Sequence, residues 1–222
     1  ISTSGDTIVY NDLGVGHSGN PDWCLDVQKS VSGNWVAHIE NPHSSNGYGL
    51  KVRAGDDGNV DSFRVAAYNN DVLLNVDASG CVTKPKTPAF HGKRNANLSN
   101  PTVATIYNLS FVSERFDQGN DFDGTVFTAP RSGKYYLAAN IRVEQLQTNA
   151  SYYQVYITTS NEAYQITLDP NFSANLNFYA FAYSVLADMD GGDTAKIQWY
   201  QVGGSTGADI HISSYFCGHL VA

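Results

Sequence analysis

The string Gly203-Gly204-Ser205-Thr206-Gly207 has the G-x-S-x-G spacing of a serine nucleophile turn, and Asp209, His211 and His219 follow it. Acyl-transfer chemistry on that string needs a strand, a sharp turn and then a helix, which together lift the hydroxyl toward a histidine base. Ile210, Ile212 and Tyr215 instead continue with a period near two, so the segment reads as a hairpin loop, one whose surface can still touch a ligand. Gly14-Val15-Gly16-His17-Ser18-Gly19 fits the dinucleotide fingerprint as letters. Asn20-Pro21-Asp22-Trp23 then stands where a helix N-terminus must meet phosphate, which leaves a glycine-rich turn. Asp117, Asn120, Asp121 and Asp123 supply the oxygen ligands that Ca²⁺ takes, without the spacing or terminal Glu of an EF-hand. The same side chains can instead bond their own backbone in Asx turns, and both readings stand. Asp188, Asp190 and Asp193 form a second, sparser acidic loop. The six histidines include no H-x-H or H-E-x-x-H pair, and no two carboxylates are singled out for glycan hydrolysis. No catalytic residue is assigned.

The elements that must carry these residues are strands. Glu is scarce (Glu40, Glu114, Glu144 and Glu162) and Met occurs once, whereas Tyr occurs 14 times, so helix formers are few and β formers plentiful. Up to residue 80, short alternating runs at residues 24–27, 35–39, 48–52, 63–67 and 72–76 are separated by Gly-, Asn- and Ser-rich turns. Each has a thin apolar face, and pairing with identical chains is the natural way to bury it. Pro85 and Pro88 then remove backbone donors and mark a boundary. Beyond it, longer runs at residues 103–107, 109–113, 125–129, 134–143, 152–159, 176–186, 195–202 and 208–221 suggest a jelly-roll sandwich. The expected organisation is a β-rich stalk over residues 1–84 and a head over residues 85–222.

The net charge of −8 and a pI near 5.0 argue against nucleic acid and anionic lipid as partners and favour a neutral or glycan partner. No stretch approaches eighteen apolar residues, so no membrane insertion is expected, and the missing initiator Met suggests a piece of a longer chain. Cys24, Cys81 and Cys217 are odd in number and read as free thiols, with a Cys24–Cys81 pair as the alternative. The sequons at Asn97, Asn108, Asn149 and Asn171 matter only in a secretory pathway. Tyr152, Tyr153, Tyr156, Tyr164, Phe178, Tyr179, Phe181 and Tyr183 split between the two faces of their strands; core, subunit contact and ligand platform all remain open for them, and an exposed Tyr or Trp199 would suit a sugar.

Three segments in order carry a resemblance. Phe116-Asp117 leads through Gly124-Thr125-Val126-Phe127-Thr128-Ala129-Pro130-Arg131-Ser132-Gly133-Lys134-Tyr135; then come Asp190-Gly191-Gly192-Asp193 and Phe216-Cys217-Gly218-His219-Leu220. Over about residues 88–222 the chain resembles the C1q and tumour-necrosis-factor-like family, with Phe127, Pro130, Gly133, Tyr135, Phe216, Gly218 and Leu220 as the motif positions. Leu137 departs from the family's usual Phe, and no collagen-like repeat precedes the head. The resemblance implies a homotrimeric, non-enzymatic jelly roll, and since some such heads bind Ca²⁺ near the apex, it adds to the case for Ca²⁺ at residues 117–123. Gly47-Tyr48-Gly49-Leu50-Lys51-Val52 and Val82-Thr83-Lys84-Pro85, followed by Pro88-Ala89-Phe90, look like the β stalks and junction of tail-fibre proteins from bacterial viruses. That likeness implies a receptor-binding virion tip whose contacts to a host cell-surface receptor, glycan or protein, are Gln147, Thr148 and Asn149 on one loop and Gly203, Gly204, Ser205 and Thr206 on another. The alternatives are a bacterial surface or spore adhesin with the same head, or a tail spike that cuts surface polysaccharide.

Overall fold

Period-two alternation becomes strand throughout, and among the described residues every regular element is β. A computed structural model describes residues 57–222 continuously, and before them residues 32–33, 48, 50–53 and 55 with the backbones of residues 13–15 and 25–27. Contacts divide the chain into two units, Ile1–Gly55 and Asp56–Ala222. In the first, β1 (Leu13–Val15) and β2 (Leu25–Val27) pair in parallel. The expected strand at residues 35–39 lies outside the described residues. Residues 48 and 50–53 are not strand, and Leu50 is 64% exposed.

The second unit opens with an antiparallel sheet of β3 (Asp61–Ala66), β4 (Val72–Asp77) and β5 (Val82–Thr83). Asp77 closes its second turn by accepting from Ser79 N, Ser79 Oγ and Cys81 N. Register puts Phe63, Val65, Leu74, Val76 and Val82 on one face. The proline-marked boundary at residues 84–85 falls inside this unit, between the small sheet and the sandwich. Contacts that span it include Lys86 with Asp71 at 2.9 Å, Thr87 N donating to Lys84 O, and Gln118 Nε2 donating to Lys84 O. Cys81 and Cys217 are free thiols, and Cys24 lies outside the described residues.

The sandwich has two sheets. Across the first run β13 (Leu176–Met189), β10 (Gly133–Leu146), β16 (Tyr215–Leu220), β6 (Ala89–Lys93) and β8 (Ser113–Asp117), with β15 (Asp209–Ile210) also on β10. Across the second run β12 (Ala163–Leu168), β11 (Ala150–Thr159), β14 (Thr194–Gly203) and β7 (Tyr107–Asn108), with β9 (Val126–Thr128) also on β14. Every pairing is antiparallel, and the chain crosses from sheet to sheet as it advances, which makes a jelly roll. Three expected strands are revised. Residues 103–104 form a turn and only residues 107–108 pair; pairing near residues 109–113 begins at Ser113; residues 208–221 break into β15 and β16 around a turn at residues 212–213. β6 and β12 were not anticipated.

Inward positions alternate along the strands, so β10 buries Tyr135, Leu137, Ala139, Ile141 and Val143 while Lys134, Tyr136 and Arg142 face out. Trp199 is core, 1% exposed and stacked on Tyr153 at 5.7 Å, so it is no sugar platform. Phe90 stacks on Phe122 and Phe127 at 4.7 and 4.6 Å and meets Phe216 edge-on at 5.0 Å. A Cβ on Gly218 would stand 2.9 Å from both the Phe90 ring and Tyr136 O. Gly218→Ala is therefore expected to cost about 1–3 kcal/mol by overpacking, and Phe127→Ala about 3–5 kcal/mol through the cavity it leaves. Denaturant unfolding monitored by Trp fluorescence checks both; near-neutral values would contradict this packing.

Candidate functional site

The β10–β13 ladder runs from Gly133 opposite Met189 to Leu146 opposite Leu176, and the β11–β14 ladder from Thr159 opposite Ala195 to Ala150 opposite Gly203. The loops after β10 and after β14 therefore emerge at one end of the sandwich, opposite the end where the chain enters at Ala89. This distal end holds every residue expected to contact a receptor, with Asn149 exposed on the turn between β10 and β11. Gln147 Oε1 accepts from Ser205 N, Ser205 Oγ and Thr206 N, and its amide nitrogen donates to Thr206 Oγ1. Thr148 donates N–H and hydroxyl to Asn175 Oδ1, tying in the loop at residues 169–175. Gly203 and Gly204 hold φ of +73° and +89°, a conformation that costs other residues strain.

Beneath these loops sit supports that the sequence reading passed over. Gln201, 2% exposed, donates to Gly203 O and Thr206 O and accepts from Ala208 N. The fully buried Tyr153 hydroxyl accepts from Gln147 N and donates to Gln147 O. Gln201 follows Trp199 at an inward position, and a polar residue on the apolar phase of a strand was the signal available. Residues 100–103 form a facing wall, with Asn100 N donating to Asp209 Oδ1 at 2.7 Å and Thr102 N to Tyr107 Oη at 2.7 Å. Between this wall and residues 204–207 lies a shallow groove of about 400 Å³.

The other expectations resolve differently. Ser205 Oγ donates to Gln147, Asp209 serves Asn100, His211 Nδ1 bonds Ser213, and His219 lies at the far end of β16, so no triad forms. Asp117, Asn120, Asp121 and Asp123 lie at the proximal end beside Ala89, not at the apex. Asp117 accepts from Asp121 N and Phe122 N, and Asp123 from Thr125 N and Val126 N, so two of the three carboxylates are spent on backbone. Among the described residues no group of three His, Cys, Asp or Glu side chains is placed to hold a metal ion, and Asp117 and Asp123 cap their own turns. Nearby, the motif behaves as its residue types require. Tyr135 is fully buried with its hydroxyl donating to Arg131 O at 2.8 Å, and Gly133 leaves room for Ala222 O. Phe127 and Phe216 are fully buried, Gly218 is buried, Leu220 half-buried and Pro130 exposed.

Of the aromatic residues left open, Tyr153 and Phe181 are core, Tyr164, Tyr179 and Tyr183 pack against it, and Phe178 faces out, 62% exposed. Tyr152 and Tyr156 occupy the outward phase of β11, where the Tyr156 hydroxyl donates to Gln154 Oε1.

The sequence matches no protein-family profile and no curated protein. Solved structures similar to the chain include the globular domain of zebrafish complement 1qA protein, at 18% identity and a TM-score of 0.46 over 61% of this chain and 98% of that one. Murine APRIL at pH 8.5 is another, at 7% identity and a TM-score of 0.45 over 61% and 100%.

Gln201→Leu strands three buried backbone groups, and a loss of about 3 kcal/mol is expected at about 1 kcal/mol or more for each; unchanged stability would show that the loop stands without this support. Burial, then the neighbouring Asp117, raises the Asp121 carboxyl above its ordinary range. The folded state thus holds this proton more tightly than the unfolded one, so stability is lost as pH rises through the raised value. Asp121→Asn is expected to be the more stable protein at neutral pH and to lose that advantage below the carboxylate range, as read from paired melting curves across pH.

Proposed function

We propose that the chain is a non-enzymatic attachment protein that acts as a homotrimer, the receptor-binding tip of a tail fibre from a bacterial virus, carried on the virion. The observation that carries self-association is the outer face of the first sheet. Phe178 and Leu186 on β13 are 62% and 60% exposed, Phe116 on β8 is 52% exposed and Tyr136 on β10 is 39% exposed. Ala138, Ala180, Ala182 and Cys217 lie between them on the same phase. A face of this kind on a soluble sandwich belongs against protein, and identical copies supply a complementary surface by symmetry. The Val-Thr-Lys-Pro junction at residues 82–85, which leads from β5 toward β6, supports the fibre assignment.

Three heads place three copies of the distal loops in one plane, so weak single contacts gain effective concentration without new chemistry. Ser205 and Thr206 are exposed on a loop that Gln147 and Gln201 hold in place, a form that suits a binding surface.

Light scattering on a sizing column is expected to give a mass near three times 24.1 kDa, and Leu186→Asp or Phe178→Asp is expected to shift it to monomer with the sandwich still folded by circular dichroism. A wild-type monomer would remove the attachment reading.

A further inference from the structure

The distal loops differ from the rest of the chain in charge. Residues 95–106, 145–149, 169–175 and 203–208 contain one ionisable side chain, Asp169, in a chain of net charge −8. Four charged groups lie just beneath, of which Arg142 and Glu144 on β10 pair with each other at 2.7 Å. Asp209, 9% exposed, spends its carboxylate on Asn100 N and Gln145, and Arg94, 7% exposed, spends its guanidinium on Ala96 O and Ser110 O. The proximal loops hold Asp117, Asp121, Asp123, Arg131, Glu162 and Asp190. Register alone does not require this partition, since both ends are built of turns.

The groove between residues 100–103 and 204–207 lies in this uncharged zone, and its side chains are chiefly amide and hydroxyl: Asn100, Thr102, Ser205 and Thr206. An ionic ligand would find no counter-charge there, and an apolar one would strip water from Asn100, Thr102 and the hydrogen-bonding capacity that Ser205 and Thr206 do not spend on Gln147. A ligand that is itself a dense array of hydroxyls satisfies both, because an amide and a hydroxyl each donate and accept and can meet adjacent sugar hydroxyls in pairs. The walls are set in advance. Gln147 and Gln201 fix residues 203–208 from two sides, and a Cβ on Gly207 would overlap Pro101 O, so the walls meet backbone to backbone. A groove that need not be ordered on binding loses less of its contact energy to entropy.

Resting on the attachment reading above, we propose that this groove is the receptor subsite and that its ligand is an uncharged glycan with adjacent free hydroxyls. Its shallowness gives weak single-site affinity, which the three copies in a trimer multiply.

The test uses the intact chain. Adsorption to a panel of bacterial cells is measured before and after periodate, which cleaves adjacent diols, and before and after protease. Binding to dextran, mannan and galactan is compared with binding to alginate and polysialic acid. The expected result is periodate-sensitive, protease-resistant adsorption, together with binding to a neutral polysaccharide. Thr102→Val is expected to weaken that binding about fivefold, the worth of one hydrogen bond. Asn100→Asp, which keeps a residue tolerant of φ +47°, should weaken it at least as much, with melting curves reporting the fold of both variants. Adsorption that survives periodate, or binding to the anionic polymers alone, overturns the glycan assignment and leaves attachment standing. Neutral binding unchanged in both variants overturns the groove. Failure to adsorb to any cell counts against attachment, and absence of neutral-polysaccharide binding then overturns the glycan assignment as well.

Discussion

Phe90, Phe122, Phe127 and Phe216 meet between the two sheets at centroid separations of 4.6 to 6.0 Å, and much of the head is arranged to leave them room. They arrive from β6, the loop before β9, β9 and β16, so the cluster fastens together the start, middle and end of the sandwich. Aromatic contacts this close leave no space for side chains on the strands behind them. Gly92 and Gly218 occupy those points, where a Cβ would come within 2.5 Å of Phe122 and 2.9 Å of Phe90. The Phe-Cys-Gly-His-Leu closing run is thus the complement of a ring that arrives on β6 from the opposite end of the head's sequence, and Tyr135 at 5.4 Å from Phe127 extends the same cluster.

With that centre fixed, the two ends of the sandwich are free to differ. The proximal end uses acidic side chains to hold tight turns and seats Gln118 against residues 84–87. The distal end uses glutamines to hold its turns, Gln147 and Gln201 doing what carboxylates do below. Neutral staples stabilise a loop without imposing a field on its surroundings, so the distal surface can be rigid and electrically quiet at once.

The long strands of the head were legible because apolar alternation sustained over ten or more residues suits a half-buried strand and does not suit a helix. β10, β11, β13 and β14 fall where that alternation placed them, within a few residues at each end. β12 alternates too, with Tyr164, Ile166 and Leu168 turned inward, but it is six residues long and bounded by Glu162 and Asp169, so local polarity masked it. β6 was hidden by Gly92, whose role depends on Phe111 and Phe122. In the candidate site, Gln147, Thr148 and residues 203–206 stood out as turn letters between long strands. The facing wall did not, because Asn100 and Asp209 lie 109 positions apart and no local pattern joins them. In the acidic loop, oxygen ligands can be counted in a sequence, but the backbone amides that consume them appear only once the turn is built.

The direction in which β6 leaves the sandwich has a mechanical consequence. The chain enters at Ala89, at the proximal end, while the groove lies at the distal end, so a pull between the two runs lengthwise along the strands. β6 is flanked on both sides, by β16 and by β8, in antiparallel register. Its hydrogen bonds lie across the line of pull. A tug on residue 88 must shear both ladders together instead of peeling one bond after another, and the joint that carries the load is also the one that holds Phe90 in place.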